Sequence, residues 1–117
     1  MASKNTLPVL NSRSDFQKLF EKGRRYYPSQ WMIVNVHSND KGTMRFGWTL
    51  PKFVGTAVTR NRLKRWCREY LRTNIDLKEK KAIDINFVFR RREKEFYKNL
   101  NHEELDRIFD NFFRKLT

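Results

Sequence analysis

The sequence is poor in the residues that stiffen or cross-link a small secreted protein. A single cysteine, Cys67, excludes an internal disulfide framework and any all-cysteine metal site. Only two histidines, His37 and His102, are available for acid–base chemistry. One falls near the end of a strand and the other in the first turn of a helix, with nothing to pair them. Four glycines and three prolines in 117 residues leave no Gly- or Pro-rich linker and no low-complexity tract. No apolar run approaches the roughly 18 residues of a membrane-spanning helix, and the N-terminus has no apolar signal-peptide core. A reducing, cytoplasmic setting is the simplest expectation. The length suits one domain over residues 1–117, with about 1–11 as an extended N-terminal arm.

What is abundant is positive charge. Lys and Arg number 26 against 13 acids, a formal net charge of +13. The excess is focused: residues 41–75 hold nine basic groups and one acid, whereas residues 76–117 hold eleven and nine. Solubility needs no such focus, but a polyanion-binding face does, because each phosphate neutralised releases condensed counterions. Aromatic residues make up 15%, enough to leave some for contacts outside the core.

Periodicity outlines the elements. Ser12 or Ser14 can start a helix, with Ser14 and Gln17 fitting a capping box. Phe16, Leu19 and Phe20 form its stripe and Gly23 ends it. Arg24 to Ser29 reads as a basic, aromatic connection. Strands are expected over Trp31–Val36 and Thr43–Leu50, on either side of a turn at 38–42. Pro51 stops the second strand or leaves a short continuation. Residues 56–73 read as the longest helix, with Leu63, Trp66, Cys67, Tyr70 and Leu71 as its apolar stripe. After a charged linker at 76–81, residues 82–90 alternate as a strand. A final helix begins near Asn101, which with Glu104 forms a cap pair. Its core stripe runs from Leu105 through Ile108, Phe109, Phe112 and Phe113 to Leu116. Interleaved helices and strands imply an α+β fold, a small α/β sandwich in the order α-β-β-(β)-α-β-α.

The long helix carries the most information. Between Arg60 and Arg72 lie five arginines, one lysine and one acid. Arg60, Lys64 and Arg68 share one face, and Arg62, Arg65, Glu69 and Arg72 an adjacent ridge. Like charges four residues apart destabilise an isolated helix by about 0.2–0.5 kcal/mol per pair. Phosphate is the natural counterweight, and arginine's planar fork suits it. Asn61 can reach sugar or phosphate oxygens, or cap the first turn. The plain alternative is a solvated charged face.

The run Gly55-Thr-Ala-Val-Thr-Arg-Asn-Arg-Leu-Lys-Arg-Trp-Cys-Arg-Glu69 resembles the Arg-Asn-Arg signature of the protein subunit of bacterial ribonuclease P. The resemblance extends to the early Asp15–Phe20 helix, the strand pair before the signature, the strand at 82–90 and the closing helix. It implies a left-handed βαβ crossover around the signature helix. It implies a holoenzyme whose RNA subunit, with bound Mg²⁺, is the catalyst. This chain would supply no catalytic residue and need no membrane or obligate protein partner; no metal site or cofactor of its own is assigned, and whether it holds a metal ion stays open. Arg60, Asn61, Arg62, Lys64, Arg65 and Arg68 would face the catalytic RNA. Phe16, Phe20, Lys52 and Arg90 would meet the single-stranded 5′ leader of precursor tRNA, and the protein would raise affinity for substrate and functional metal ions. The bland alternative for Phe16 and Phe20 is core packing. Two departures stand out. Pro51-Lys52-Phe53 replaces a more lysine-rich segment, and Val34 stands where an aromatic is common, which is expected to remove one base contact. The rival classes are a structural RNA-binding protein of the ribosomal kind and a DNA-binding protein.

Overall fold

The computed structural model describes residues 7–76 and 81–116. The expected linker at 76–81 and most of the arm fall largely outside them. Helix α1 (Arg13–Lys22) leads into strands β1 (Arg24–Ser29), β2 (Met32–Ser38) and β3 (Arg45–Thr49). A 3-10 turn (Lys52–Val54) precedes α2 (Ala57–Asn74), β4 (Ile83–Phe89), a single helical turn α3 (Phe96–Asn99) and α4 (His102–Leu116). The strands form one sheet in the order β1-β2-β4-β3. β2 pairs antiparallel with β1 and β4, and β3 pairs parallel with β4. Helix α2 is therefore the crossover between two neighbouring parallel strands.

The sheet's two faces differ in chemistry. Val34, Val36, Phe46, Ile85, Phe87 and Phe89 line the apolar face. They pack with Leu63, Cys67 and Leu71 of α2 and Leu105, Phe109 and Phe112 of α4 into one core. The Phe87 and Phe109 rings lie 4.7 Å apart. The other face, beneath α1, is polar: Asn35, Asp84 and Asn86 are buried there without being apolar. Arg45 spans this face. Its Nε and Nη2 donate to the two Asp84 oxygens at 2.9 and 2.8 Å, and its Nη1 reaches Asp15 of α1 at 3.3 Å. Asn39 adds a 2.7 Å bond to Asp84. This network ties α1 to the sheet, where Leu19 alone among the α1 side chains is buried.

Several expectations are corrected. Arg24–Ser29 is not a connection but the edge strand β1. Its basic residues stand outside, while Tyr26 meets Phe112 edge-on at 5.3 Å. Pro28 is tolerated because an edge strand leaves one side unpaired, and the register slips between Tyr26 and Ser29. The optional strand after Pro51 is the 3-10 turn instead, closed by Val54 N–H to Pro51 O. The extra strand thus precedes β2 rather than following β3. Ser12, not Ser14, caps α1, accepting from the Asp15 N–H. Gly23 does end α1, but at φ −73° it is not left-handed. A Cβ there would lie 2.4 Å from the Leu19 carbonyl oxygen, so glycine is required by close approach rather than by dihedral angle. α3 is a single turn just past the charged run at 90–95. The arm is no loose tail at its described end, since Leu7 and Leu10 are buried and Val9 bridges to Phe46.

Candidate nucleic-acid interface

Helix α2 starts where Thr56 Oγ1 accepts from the Thr59 N–H at 3.3 Å. Its apolar stripe holds as expected, with Leu63, Cys67, Tyr70 and Leu71 buried and Trp66 half-buried. That burial pins the helix so that its cations project from a rigid rod. Asn61 and Arg65 are exposed, and Arg60, Lys64 and Arg68 are half-buried. Arg60 Nε donates to the Gly55 carbonyl at 3.1 Å, and the Arg68 guanidinium lies 5.3 Å over the Trp48 ring. Among the described residues, no carboxylate pairs with Arg60, Arg62, Lys64, Arg65 or Arg68. Arg62 differs from the rest. Its Nη2 donates to the Tyr97 and Lys98 carbonyls at 2.9 and 3.0 Å, and its guanidinium stacks 5.0 Å from Trp66. It is a clasp between α2 and α3 before it is anything else.

Beside Lys64 and Arg68 a groove of about 200 Å³ opens against the outer strand β3. Phe16, Leu10 and Trp48 line it. Gly47 forms part of its floor, and a Cβ there would come within 2.7 Å of the Phe16 ring. The missing side chain is what lets Phe16 lie on the sheet. Sequence reasoning overlooked Gly47, Trp48 and Arg45. Alternation along β3 puts Arg45 and Gly47 on one face, but only the docking of α1 reveals their partners.

The other candidates are spread. Phe20 does not line this groove. It is 64% exposed, with the Arg25 guanidinium 5.2 Å over its ring, so it is not a core residue. Lys52 and Arg90 are exposed just past β3 and β4. Because these strands are parallel, both residues sit at the same end of the sheet. Val34 is fully buried on the apolar face, away from α1. The expectation that it removes a base contact is therefore wrong, since an aromatic there would enter the core.

A profile of the Ribonuclease P family matches residues 5–117. The chain belongs to the ribonuclease P protein family. Its place is in tRNA processing, as the protein component of a ribonucleoprotein enzyme. It is 35% identical over 86 residues to the ribonuclease P protein component of Clostridioides difficile, covering 74% of this chain and 75% of that one. It is 30% identical over 106 residues to that of Fusobacterium nucleatum, covering 91% and 94%. The solved RNase P protein of Thermotoga maritima superposes with a TM-score of 0.76 at 26% identity, over 92% of this chain and 96% of that one.

Several other polar groups of this ribonuclease P protein serve the fold. Asp84 is held by Arg45 and Asn39. His102 lies 3.2 Å from both Glu69 and Asp106, joining α2 to α4. Burial pushes the Asp106 carboxyl above its usual range, with His102 pulling the other way. Burial also drives the Cys67 thiol far up, which keeps it protonated and unreactive. Among the described residues, no group of three His, Cys, Asp or Glu side chains is placed to hold a metal ion. No described helix is long and apolar enough to cross a membrane.

Proposed function

We propose that this chain assists a catalytic RNA in removing the 5′ leader from precursor tRNA. In this reading α2 docks on the catalytic RNA through Arg60, Asn61, Lys64, Arg65 and Arg68, with Arg62 contributing what its clasp leaves free. The groove at Phe16 receives an unpaired leader nucleotide, Phe20 offers a second exposed ring, and Lys52 and Arg90 meet leader phosphates. Mg²⁺ is held by the RNA, and the protein raises the affinity for substrate and for functional metal ions. The reaction takes place in the cytoplasm. A left-handed β3–α2–β4 crossover and a single domain belong to the same proposal.

The observation that carries it is the row Arg60, Lys64, Arg65 and Arg68 on α2, which no carboxylate pairs with among the described residues, next to a groove walled by Phe16 and Trp48. Unpaired guanidinium and ammonium groups cost least when phosphate completes them, and each contact releases counterions. Aromatic walls add stacking worth about 1–3 kcal/mol per base, with little dependence on sequence.

Reconstitution tests it. The protein is combined with a bacterial ribonuclease P RNA and precursor tRNA at low Mg²⁺. Cleavage at the mature 5′ end rises sharply, protein alone cleaves nothing, and Phe16→Ala weakens the preference for substrates with a leader. Absence of stimulation would favour a structural RNA-binding role. Unfolding of Phe16→Ala would return that residue to the core.

A further inference from the structure

Taking α2 as an RNA-docking helix, we infer that a second groove, between its first turn and the Lys94–Lys98 segment, is a pocket for one unpaired nucleotide of the catalytic RNA. The groove encloses about 450 Å³, within the roughly 300–1,000 Å³ of ligand clefts. Its lining leaves two large apolar side chains facing solvent, Val58 at 78% and Phe53 at 39% exposure. Neither is needed by the core, which the opposite stripe of α2 already completes. The rim is almost of one sign. Arg62, Lys94 and Lys98 line the groove, and the Arg91 guanidinium lies 4.5 Å from the Phe53 ring centre. The one acid, Glu95, is already paired with Lys98 at 3.4 Å.

An apolar floor under a cationic rim complements a nucleotide: the base lies against Phe53 and Val58, and its phosphates meet Lys94 and Lys98. The Arg62 clasp to the Tyr97 and Lys98 carbonyls holds the two walls at a fixed separation, so the pocket is formed before RNA arrives. The catalytic RNA is the occupant favoured over the leader. The pocket shares no lining residue with the groove at Phe16, and it opens on the helix that docks on that RNA.

Val58→Cys supplies a unique attachment point, because the one native thiol, Cys67, is fully buried. In the reconstituted holoenzyme, a hydroxyl-radical reagent tethered at position 58 cuts the catalytic RNA around an unpaired nucleotide. Cuts confined to the precursor leader, or no cuts, would overturn the assignment. Phe53→Ala, and Phe53→Leu as the gentler change, weaken catalytic-RNA affinity, the former roughly tenfold, without altering its salt dependence. Lys94→Ala with Lys98→Ala lowers the slope of log affinity against log salt by roughly 1.4. If the unmodified protein stimulates cleavage while these variants bind catalytic RNA as it does, the pocket is wrong and the docking reading stands. If the unmodified protein fails to stimulate, both fall.

Discussion

Replacing Asp84 by alanine is expected to be the most damaging single change on the polar face of the sheet. The carboxylate accepts two bonds from Arg45 and one from Asn39, and the Arg45 and Asp84 side chains are only 15% and 9% exposed. Truncation would leave a half-buried guanidinium facing a cavity; removing one partner of a fully buried pair typically costs about 3–5 kcal/mol. Arg45 would keep the 3.3 Å contact to Asp15, whose side chain is 25% exposed, so the lower end of that range applies. Against a total stability of about 5–15 kcal/mol, a loss of about 3 kcal/mol is large. With a urea m-value of about 1.5 kcal/mol/M, the midpoint of unfolding should drop by about 2 M. Equilibrium urea unfolding followed by tryptophan fluorescence measures it. Asp40→Ala serves as the control, because Asp40 is almost wholly exposed in its 3.9 Å pair with Lys41 and its midpoint should not move. An Asp84→Ala midpoint within about 0.3 M of the parent would show that the network does not hold α1 on the sheet.

Three further outcomes are expected. Arg62→Ala lowers both RNA affinity and the thermal midpoint, the latter by about 5 °C through the lost clasp, whereas Arg65→Ala lowers RNA affinity alone; calorimetry beside RNA titration separates them. Cys67 stays unmodified by a thiol reagent in the native protein and reacts once in urea, and native labelling would contradict its burial. Burial, aided at Tyr70 by the hydrogen bond to Asp110, pushes the Tyr70 and Tyr97 phenols well above their ordinary value. A folded-state pKa above the unfolded one of about 10 favours the protonated fold, so their contribution is complete below about pH 10 and declines above it. Urea midpoints that hold or rise between about pH 10 and 11 would refute this.

The amphipathic elements were legible because burial and periodicity coincide. The apolar stripe of α2, the alternation in β4 and the Asn101 cap of α4 are all found, the last as a 2.9 Å bond to the Glu104 N–H. What escaped had no such pattern. β1 is a charged edge strand, and α3 is a single turn that follows the charged run at 90–95 and starts after Glu95, which is in a left-handed conformation. The site was half legible. The cations of α2 announced themselves by density, but nothing in the sequence told Arg62, which binds carbonyls 35 and 36 residues away, from Arg65, which is exposed. Phe16 and Phe20 looked equivalent at four-residue spacing, yet one rests on Gly47 and the other under Arg25. Such distinctions arise from long-range contacts, which local spacing does not encode.

Helix α2 carries two messages on one 18-residue rod, one read by the core and one facing outward. Adding or deleting a residue in its middle would turn every downstream side chain by roughly 100° about the axis. Arginines would swing toward Phe46 and leucines toward solvent, so folding and the proposed RNA docking would fail together. The helix is therefore frame-locked: it can change by substitution, residue by residue, but not in length.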